Sequence, residues 1–230
     1  MELNNVLRTT AAVRKFTNRP VNNDTLYEIL EQARFAPSGG NRQAWRVIIV
    51  HDDTRRRLIR DAYLDAWHEY VGHLLAGLIP FSPLASDADR ASALAQRAAA
   101  EARSTPDGFA ESLDRVPAML VVCANLEHLA ATDRDLNRYS LVGGASIYPF
   151  VWNILLCARE RALGGVMTTI ATRKEQDVRN SLAIPDTFAV AAIVVLGYPE
   201  RQITRLTRSP VERFSTIDTF DGVAFERPTP

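Results

Sequence analysis

Apolar positions repeat with the period of a helix between residues 24 and 35. The spacing i, i+3, i+4, i+7 places four side chains on one face of that helix, those of Leu26, Ile29, Leu30 and Ala33. Thr25 and Glu28 have the spacing of a capping box at its start, and Pro37 follows its end. The pattern therefore predicts a helix with one buried face over residues 24–35.

Short apolar runs between turn-forming residues predict four strands, over residues 46–50, 118–123, 166–170 and 189–196. Residues 148–162 are apolar on most sides and predict a central core helix, whereas residues 173–182 predict a short polar helix. Helices and strands do not alternate regularly, and a helix comes before the first strand. This order favours an α+β fold, with a sheet wrapped by helices, over a doubly wound parallel sheet.

Two stretches lack this simple pattern. Residues 53–115 begin as a helix that carries aromatic residues and continue as an Ala-, Arg- and Asp-rich stretch, which predicts helices joined at mobile proline positions. After Gly197-Tyr198-Pro199 the chain is polar with little periodicity, which predicts an extended C-terminal arm over residues 200–230. No Gly/Ser/Pro-rich linker divides the chain, so we expect a single domain over residues 1–230.

The composition is that of an ordinary globular protein. The 230 residues are 47% hydrophobic and 23% charged, and 27 Lys and Arg balance 27 Asp and Glu. This balance gives no global argument for binding nucleic acid or an anionic membrane. The longest apolar run, residues 188–196, is too short to span a bilayer, and residues 1–5 lack the features of a signal peptide. We therefore expect a cytoplasmic protein that binds neither nucleic acid nor membrane.

Several known chemistries have no motif in this sequence. No G-x-G-x-x-G follows a strand, and neither a G-x-x-x-x-G-K-[ST] loop nor a G-x-S-x-G nucleophile elbow is present. His68 and His73 are five residues apart, so on a helix they point about 140° away from each other and cannot share a metal ion. We therefore expect no metal site. Cys123 and Cys157 are expected as buried free thiols, with a disulfide between them as the alternative.

Three segments have residues suited to a bound cofactor. The adjacent cations Arg14 and Lys15 could hold a phosphate, or form only a solvated basic pair. The loop 36–45 has small residues, which let its backbone approach a flat ligand closely. It also has amide side chains that suit the polar edge of a flavin ring. Alternatively, this loop is only a helix-to-strand turn. At residues 162–169 a helix ends at glycine and a strand begins, where backbone N–H groups could point at a ligand or only cap the helix.

Together these segments resemble, in order and content, the nitroreductase family of FMN-dependent flavoproteins. That family has an arginine-rich motif before its first helix, a P-S-x-x-N-x-Q-P-W loop after it, an apolar core helix that ends in G-L-G, a Gly-Tyr-Pro and a C-terminal basic-x-Pro. The matching residues here are 14–21, 37–45, 155–166, 197–199 and 208–210. The stretch 55–115 matches least. In place of the family's Arg-x-Ser or Arg-Ser this chain has Thr10-Ala11-Ala12, and Ala44 stands where the family has proline.

The resemblance implies a mostly antiparallel central sheet, in a homodimer that exchanges its C-terminal arms and binds FMN at the interface. It implies that four cations meet the FMN phosphate or the polar edge of the ring, namely Arg14, Lys15, Arg205 and Arg208. The opposite subunit would contribute the loop that packs on the ribityl chain and ring edge, with Pro37, Ser38, Gly39, Asn41 and Gln43. Three residues would lie along the ring near its reactive nitrogen, namely Met167, Thr168 and Thr169.

The implied activity is reduction of a small aromatic oxidant, nitroaromatic or quinone-like, by NADH or NADPH. Hydride transfer through FMN would be ping-pong and need no catalytic side chain. The helical insert 55–115 is a candidate lid whose aromatic residues either select flat acceptors or only anchor it on the core: Tyr63, Trp67, Tyr70 and Phe109. Two other functions stay open: reductive dehalogenation or flavin fragmentation on the same fold, and storage of FMN without turnover.

Overall fold

An antiparallel sheet of four strands forms the centre of the structure. A computed structural model describes residues 1–228, and its strands are β1 (Trp45–Ile49), β2 (Ala118–Asn125), β3 (Gly164–Thr168) and β4 (Phe188–Gly197). They lie in the order β1-β2-β4-β3, and each neighbouring pair runs antiparallel. β3 begins two residues earlier than the sequence pattern predicted, because two glycines pair with β4 although they add no apolar side chain to the pattern.

Seven α-helices lie around this sheet within residues 1–228, and their arrangement confirms the predicted α+β class. They are α1 (Leu3–Thr9), α2 (Asn23–Ala33), α3 (Asp53–Leu75), α4 (Asp87–Ala95), α5 (Arg97–Glu101), α6 (Tyr148–Glu160) and α7 (Glu175–Leu182). Short 3₁₀ turns occur at Gly39–Asn41, Leu113–Arg115, Val142–Ser146, Ile170–Lys174 and Val211–Arg213. The sequence pattern did not predict α1, because seven residues are too few to establish a helical period.

The start of α2 differs from the predicted capping box. The side chain of Asn22 caps the helix, with Oδ1 accepting a hydrogen bond from the backbone N–H of Thr25 at 2.8 Å. Asn is a strong N-cap because its short side chain holds an acceptor within reach of the first free N–H groups. The capping box proposed for Thr25 and Glu28 was therefore wrong by three residues. The predicted buried face is confirmed at Leu26, Ile29 and Ala33.

The sheet has an apolar core on each face. Alternate residues of β2 point to opposite sides, so that Leu120 and Val122 pack with α2 and α6, whereas Met119 and Val121 pack with α3 and α7. All four side chains are fully buried. Because helices cover both faces, β2 and β4 appear in the sequence as continuous apolar runs and not as alternating ones.

The first part of the stretch 55–115 belongs to the core of the protein. α3 buries Ile59, Ala62 and Tyr63 against one face of the sheet. α4 and α5 pack in turn on α3. A lid function therefore stays a prediction for the residues after α3, between 76 and 115.

The C-terminal arm, residues 200–228, has little regular structure. It contains one 3₁₀ turn and one isolated bridge, between Thr216 and Ala224. Its aromatic side chains are largely exposed in a single chain: Phe214 by 70%, Phe220 by 95% and Phe225 by 56%. Large exposed apolar side chains of this density are typical of a surface that another molecule covers.

Both cysteines are free thiols, as predicted from the sequence, but only Cys123 is fully buried, and Cys157 is half-buried. Burial raises the pKa of Cys123 to about 11, so its thiol stays protonated and inert at neutral pH. Across residues 1–228, no helix has both the length and the apolarity needed to cross a membrane.

Candidate functional site

Residues 12–17 run along the edge of β3 and the end of β4. The backbone N–H of Val13 donates to the carbonyl of Gly165 at 2.9 Å, and that of Thr17 donates to Tyr198 at 2.8 Å. Glycine at 164 permits this close approach, because a Cβ there would lie 2.6 Å from Cγ2 of Val13. Gly164 and Gly165 are thus part of β3 and of its contact with the N-terminal segment.

The sequence pattern predicted a glycine cap at the end of α6, but the structure does not have one. The residue in the left-handed conformation is Ala162, with φ +59°. The backbone N–H of Leu163 then bonds back to the carbonyl of Ala158 at 2.9 Å, which satisfies a carbonyl of the last turn. The prediction misplaced this cap because alanine rarely takes a conformation that glycine adopts freely.

A cavity of about 600 Å³ separates this N-terminal segment from the C-terminal arm. Its lining includes Arg14 and Lys15 on one side, and Arg201 and Arg205 on the other. Three of the four cations predicted to hold a phosphate are thus brought together. The fourth, Arg208, is not among the lining residues, and its Nη1 donates to the neighbouring carbonyl of Thr207 at 2.8 Å.

Sequence reasoning missed Arg201, although it follows Gly-Tyr-Pro-Glu directly and lies four residues before Arg205. None of the four lining cations forms an ion pair with a carboxylate among residues 1–228. Glu200 is the acidic residue in the lining. Four unpaired cations around one cavity suit a multiply charged anion such as a phosphate monoester.

A row of aromatic side chains leads away from Arg14. The guanidinium carbon of Arg14 lies 5.8 Å from the ring centre of Phe109, which meets Tyr63 edge-on at 6.1 Å. Tyr63 and Trp67 stack at 6.3 Å, and Trp67 and Tyr70 stack at 5.0 Å. Positions 63, 67 and 70 share one face of α3 because they are spaced i, i+4, i+7. The four aromatic residues predicted for acceptor binding therefore form one continuous row.

The end of β3 contacts this row. Oγ1 of Thr168 donates a hydrogen bond to the hydroxyl of Tyr63 at 3.3 Å. Both side chains are buried, and burial raises the pKa of the Tyr63 phenol above its ordinary value. Met167, 37% exposed, points to the opposite face of the sheet, and Thr169 is exposed just after the strand ends. Thr168 thus adjoins the aromatic row through Tyr63, whereas Met167 faces away from that row.

The loop that follows α2 is held in a tight, strained shape. Oγ of Ser38 accepts from the backbone N–H of Gln43 at 3.0 Å, and the N–H of Gly39 donates to Oγ of Ser146 at 3.0 Å. Asn41 and Gln43 both have positive φ, +52° and +48°. Such a conformation costs of order 1–3 kcal/mol per residue and persists where the surroundings enforce it. The strain, together with the exposure of Gly39, Asn41 and Gln43, makes this loop a second candidate binding element.

This loop and the basic cavity lie at opposite edges of the sheet. Pro37–Gln43 leads into β1, one edge strand, whereas Arg14 lies beside β3, the other. With β2 and β4 between them, the two edges are about 14 Å apart, at about 4.8 Å per strand. The two candidate binding elements of one chain thus lie at opposite edges of its sheet.

A buried carboxylate orders the segment that contacts the loop. Asp133, 2% exposed, accepts hydrogen bonds from Oγ of Ser140 at 2.8 Å, the N–H of Leu141 at 2.9 Å and Nη1 of Arg138 at 2.8 Å. These donors, the Leu141 N–H above all, hold the pKa of the Asp133 carboxyl well below its usual range. The segment ends in Ser146, the partner of Gly39. No feature of the sequence pattern singled out Asp133.

Known proteins resemble this chain over most of its length. The model of the nitroreductase family matches residues 7–198. A nitrobenzene nitroreductase of Ectopseudomonas oleovorans is 25% identical over 224 residues, which cover 94% of this chain and 96% of that protein. A 5,6-dimethylbenzimidazole synthase of Rhodospirillum rubrum is 27% identical over 192 residues, covering 83% and 78%.

The fold also matches solved structures. The NADPH:FMN oxidoreductase from Vibrio harveyi, solved in complex with NAD⁺, superimposes with a TM-score of 0.63 at 19% sequence identity. The match covers 95% of this chain and 77% of that one. At this identity the likeness is one of fold, and it agrees with a mostly antiparallel sheet wrapped by helices.

Proposed function

The chain belongs to the nitroreductase family, and on that premise we propose that it reduces nitroaromatic or quinone-like compounds with NADH or NADPH through a bound FMN. Membership makes it an NAD(P)H-dependent flavin oxidoreductase. The observation that carries the finer proposal is the convergence of Arg14, Lys15 and Arg205 on one cavity, next to the aromatic row. The relative named for nitrobenzene supports the acceptor class.

The residues present fit FMN at both ends. A phosphate monoester needs several cations, and the cavity offers Arg14, Lys15, Arg201 and Arg205. Arg14 also adjoins Phe109, so the flavin ring would extend toward Thr168 and the aromatic row. Bound FMN would supply the atom that accepts a hydride from the nicotinamide and passes it on to the oxidant.

The protein's own residues would then position the reactants. Trp67 and Tyr70, the half-buried members of the aromatic row, would offer flat apolar surface to an aromatic acceptor, and the buried Tyr63 holds Trp67 in place by stacking. Thr169, exposed just after β3, would lie beside the proposed ring position, whereas Met167 is exposed on the opposite face of the sheet. No side chain is required as a nucleophile, because the bound flavin would carry the hydride. The nicotinamide and the acceptor would occupy the same face in turn.

A homodimer would complete the site. The loop Pro37–Gln43 and Arg14 lie at opposite edges of the sheet of one chain, so a partner copy would bring its own loop to the cavity beside Arg14. The exposed Phe214, Phe220 and Phe225 of the arm, and Trp152 on α6 at 40% exposure, offer apolar surface for that second copy. Sedimentation tests this proposal: a monomer that retains stoichiometric FMN would contradict it.

Initial rates test the function itself. NADPH oxidation is measured at several concentrations of a nitroarene and of a quinone, in the absence of oxygen. Ping-pong transfer predicts parallel double-reciprocal lines, since the nicotinamide leaves before the acceptor binds. Intersecting lines, or no acceptor-dependent oxidation, would overturn the proposal. A cytoplasmic location, where such a reductant is available, stays a prediction.

Flavin fragmentation is the second candidate, because a relative is named 5,6-dimethylbenzimidazole synthase. The loop Ser38-Gly39-Gly40-Asn41 resembles the reductases more closely than the flavin-fragmenting enzymes. Incubation with reduced FMN and oxygen distinguishes the two, since only fragmentation releases dimethylbenzimidazole. NAD(P)H oxidation without acceptor reduction would instead favour an FMN store or redox-responsive partner, and release of halide from an aryl halide would favour dehalogenation.

A further inference from the structure

A second cavity adjoins the N-terminal segment that carries Arg14 and Lys15. It encloses about 710 Å³ between residues 14–20, the start of α3 and the residues that precede β2. Arg14 and Lys15 line it together with two arginines that do not line the proposed FMN phosphate cavity, Arg56 and Arg115. The two cavities are thus neighbours that share two cations.

The four cations of this cavity have no carboxylate partners. Within the part of the chain that the structure describes, residues 1–228, none of them forms an ion pair. Two carboxylates belong to the lining, those of Asp107 and Glu200, and neither is paired with a cation of those residues. Four cations and two carboxylates leave an excess of positive charge in the cavity wall, which attracts an anion.

Arg56 is held in place although its charge has no ion-pair partner. Its Nε, Nη1 and Nη2 donate to the backbone carbonyls of Val50, Asp114 and Val116 at 3.0, 3.1 and 2.8 Å. These bonds use three of the five N–H donors of the guanidinium group, so two remain for a ligand. Burial lowers the pKa of Arg56 below its ordinary value, although Asp53 and Asp114 favour its charge. A fixed, half-buried guanidinium group of this kind is a preformed anchor for an anion.

Two of the exposed cations also have fixed contacts. Nη2 of Arg115 donates to the backbone carbonyl of Pro106 at 2.8 Å, and the guanidinium carbon of Arg14 lies 5.8 Å from the ring centre of Phe109. The four cations come from three segments that are distant in the sequence: the N-terminal segment, α3 and the 3₁₀ turn before β2. Guanidinium groups match phosphate oxygens in geometry, and several of them suit an anion whose charge is spread over two phosphate groups.

We propose that this cavity is a second anion site, which binds a diphosphate group and is separate from the FMN phosphate cavity. The site does not rest on the proposed function, because Arg56 and Arg115 line only this one of the two cavities. Two sources share the chemistry, inorganic pyrophosphate and a nucleoside diphosphate. Phe16 and Pro117 add half-buried apolar surface to the lining, which only a nucleoside could use.

Calorimetry on the purified full chain, saturated with FMN, tests the site directly. Pyrophosphate and ADP are titrated at constant ionic strength, because salt screens exposed charges. We expect pyrophosphate to bind and R115Q to weaken its binding about tenfold, the size of one charge-assisted hydrogen bond. Arg115 is exposed and has a single bond to a backbone carbonyl, so this substitution leaves the fold intact. ADP that binds more tightly than pyrophosphate identifies the nucleotide as the source, and ADP that binds no more tightly identifies pyrophosphate.

Two further variants guard against a loss caused by misfolding. D107N removes a carboxylate of the lining and should tighten the binding of pyrophosphate about two- to fivefold, a gain that misfolding cannot produce. R57Q is the matched control, because Arg57 is an exposed arginine of α3 that donates to Thr54 and does not line this cavity. It should leave the affinity unchanged. Absence of pyrophosphate binding would overturn the proposal, as would binding that R115Q leaves unchanged or that R57Q weakens equally.

The shared cations predict a coupling to FMN, and this consequence does rest on the proposed function. Arg14 and Lys15 line both cavities, so a diphosphate in one should disfavour the FMN phosphate in the other. Saturating pyrophosphate should weaken FMN binding about fivefold or more and leave the affinity for riboflavin within about twofold. R115Q should remove this effect. An effect that survives R115Q overturns the coupling, because pyrophosphate would then compete in the FMN cavity itself.

The failure of the proposed function can be distinguished from the failure of this site. If the chain takes up no FMN, the proposed function is contradicted, and pyrophosphate is titrated into the free protein. Arg201 lines only the FMN phosphate cavity of the two, and Arg115 only the second one. Pyrophosphate binding that R115Q weakens and R201Q leaves unchanged supports the second site. Binding that only R201Q weakens overturns it.

Discussion

Thr168, the last residue of β3, donates a hydrogen bond of 3.3 Å to the hydroxyl of Tyr63 on α3. The contact is buried on both sides, and it joins the strand that would border the flavin to the aromatic row that would receive the acceptor. Because α3 is part of the core, the position of the row is fixed relative to the sheet. The proposed acceptor surface would thereby be built on a rigid element.

A double-mutant cycle measures this contact. Tyr63→Phe and Thr168→Val each leave a buried polar partner unsatisfied, so each should lower the free energy of unfolding by about 1–2 kcal/mol. The double variant removes both partners, so we expect a coupling energy of about 1 kcal/mol by chemical denaturation. Strictly additive losses would show that the two hydroxyls do not interact.

Trp67→Ala tests the role of the aromatic row in acceptor choice. The substitution removes the ring stacked between Tyr63 and Tyr70. We expect the ratio of kcat/KM for a bulky quinone to that for a small nitroarene to change by about tenfold, with FMN affinity changed less than about twofold. Unchanged preference with a lowered unfolding temperature would instead assign the row to anchoring alone.

Sequence pattern was sufficient for the elements with clear periodicity or continuous apolarity. β2, β4 and α6 were located to within a few residues, because burial on both faces of the sheet leaves no polar interruption. α1 and the left-handed Ala162 were missed, since neither leaves a compositional trace. The sequence also could not show that Arg14 and the Ser38 loop lie at opposite edges of the sheet, because strand order depends on pairing between distant segments.

Some of the site residues could likewise be predicted from the sequence, and others could not. Arg14, Lys15 and Arg205 could be proposed from charge and resemblance, but Arg201 joins them only through the path of the arm. A cavity beside Phe81 is lined by residues more than a hundred positions apart, such as Glu69 and Lys174, which no local motif connects. The single-domain division of residues 1–230 remains a prediction, and its last two residues lie outside the part of the chain described.

Asp133 should give the protein a defined acid dependence. Its folded pKa is depressed, so its stabilising effect is fully present above the ordinary carboxyl value near 3.8 and is lost as pH falls from there toward the folded pKa. Asp133→Asn should therefore lower the unfolding temperature at pH 7 and flatten its decline below about pH 4. Identical melting profiles for the variant and the wild type would contradict this.

Arg14→Gln and Arg205→Gln test the phosphate cavity. Each removes one unpaired cation, so we expect FMN to bind about tenfold to a hundredfold more weakly, while riboflavin, which lacks the phosphate, is little affected. Arg208→Gln is the natural comparison because Arg208 is outside the lining, and it should have a smaller effect. If the affinities for FMN and riboflavin fell equally, these arginines would not contact the phosphate.

The most direct measurement is an absorbance spectrum of the purified protein, followed without oxygen through addition of NADPH and then of a nitroaromatic compound. The account predicts a flavin spectrum that bleaches with one equivalent of NADPH per site and recovers when the nitro compound is added. A colourless protein that also fails to take up added FMN would contradict it.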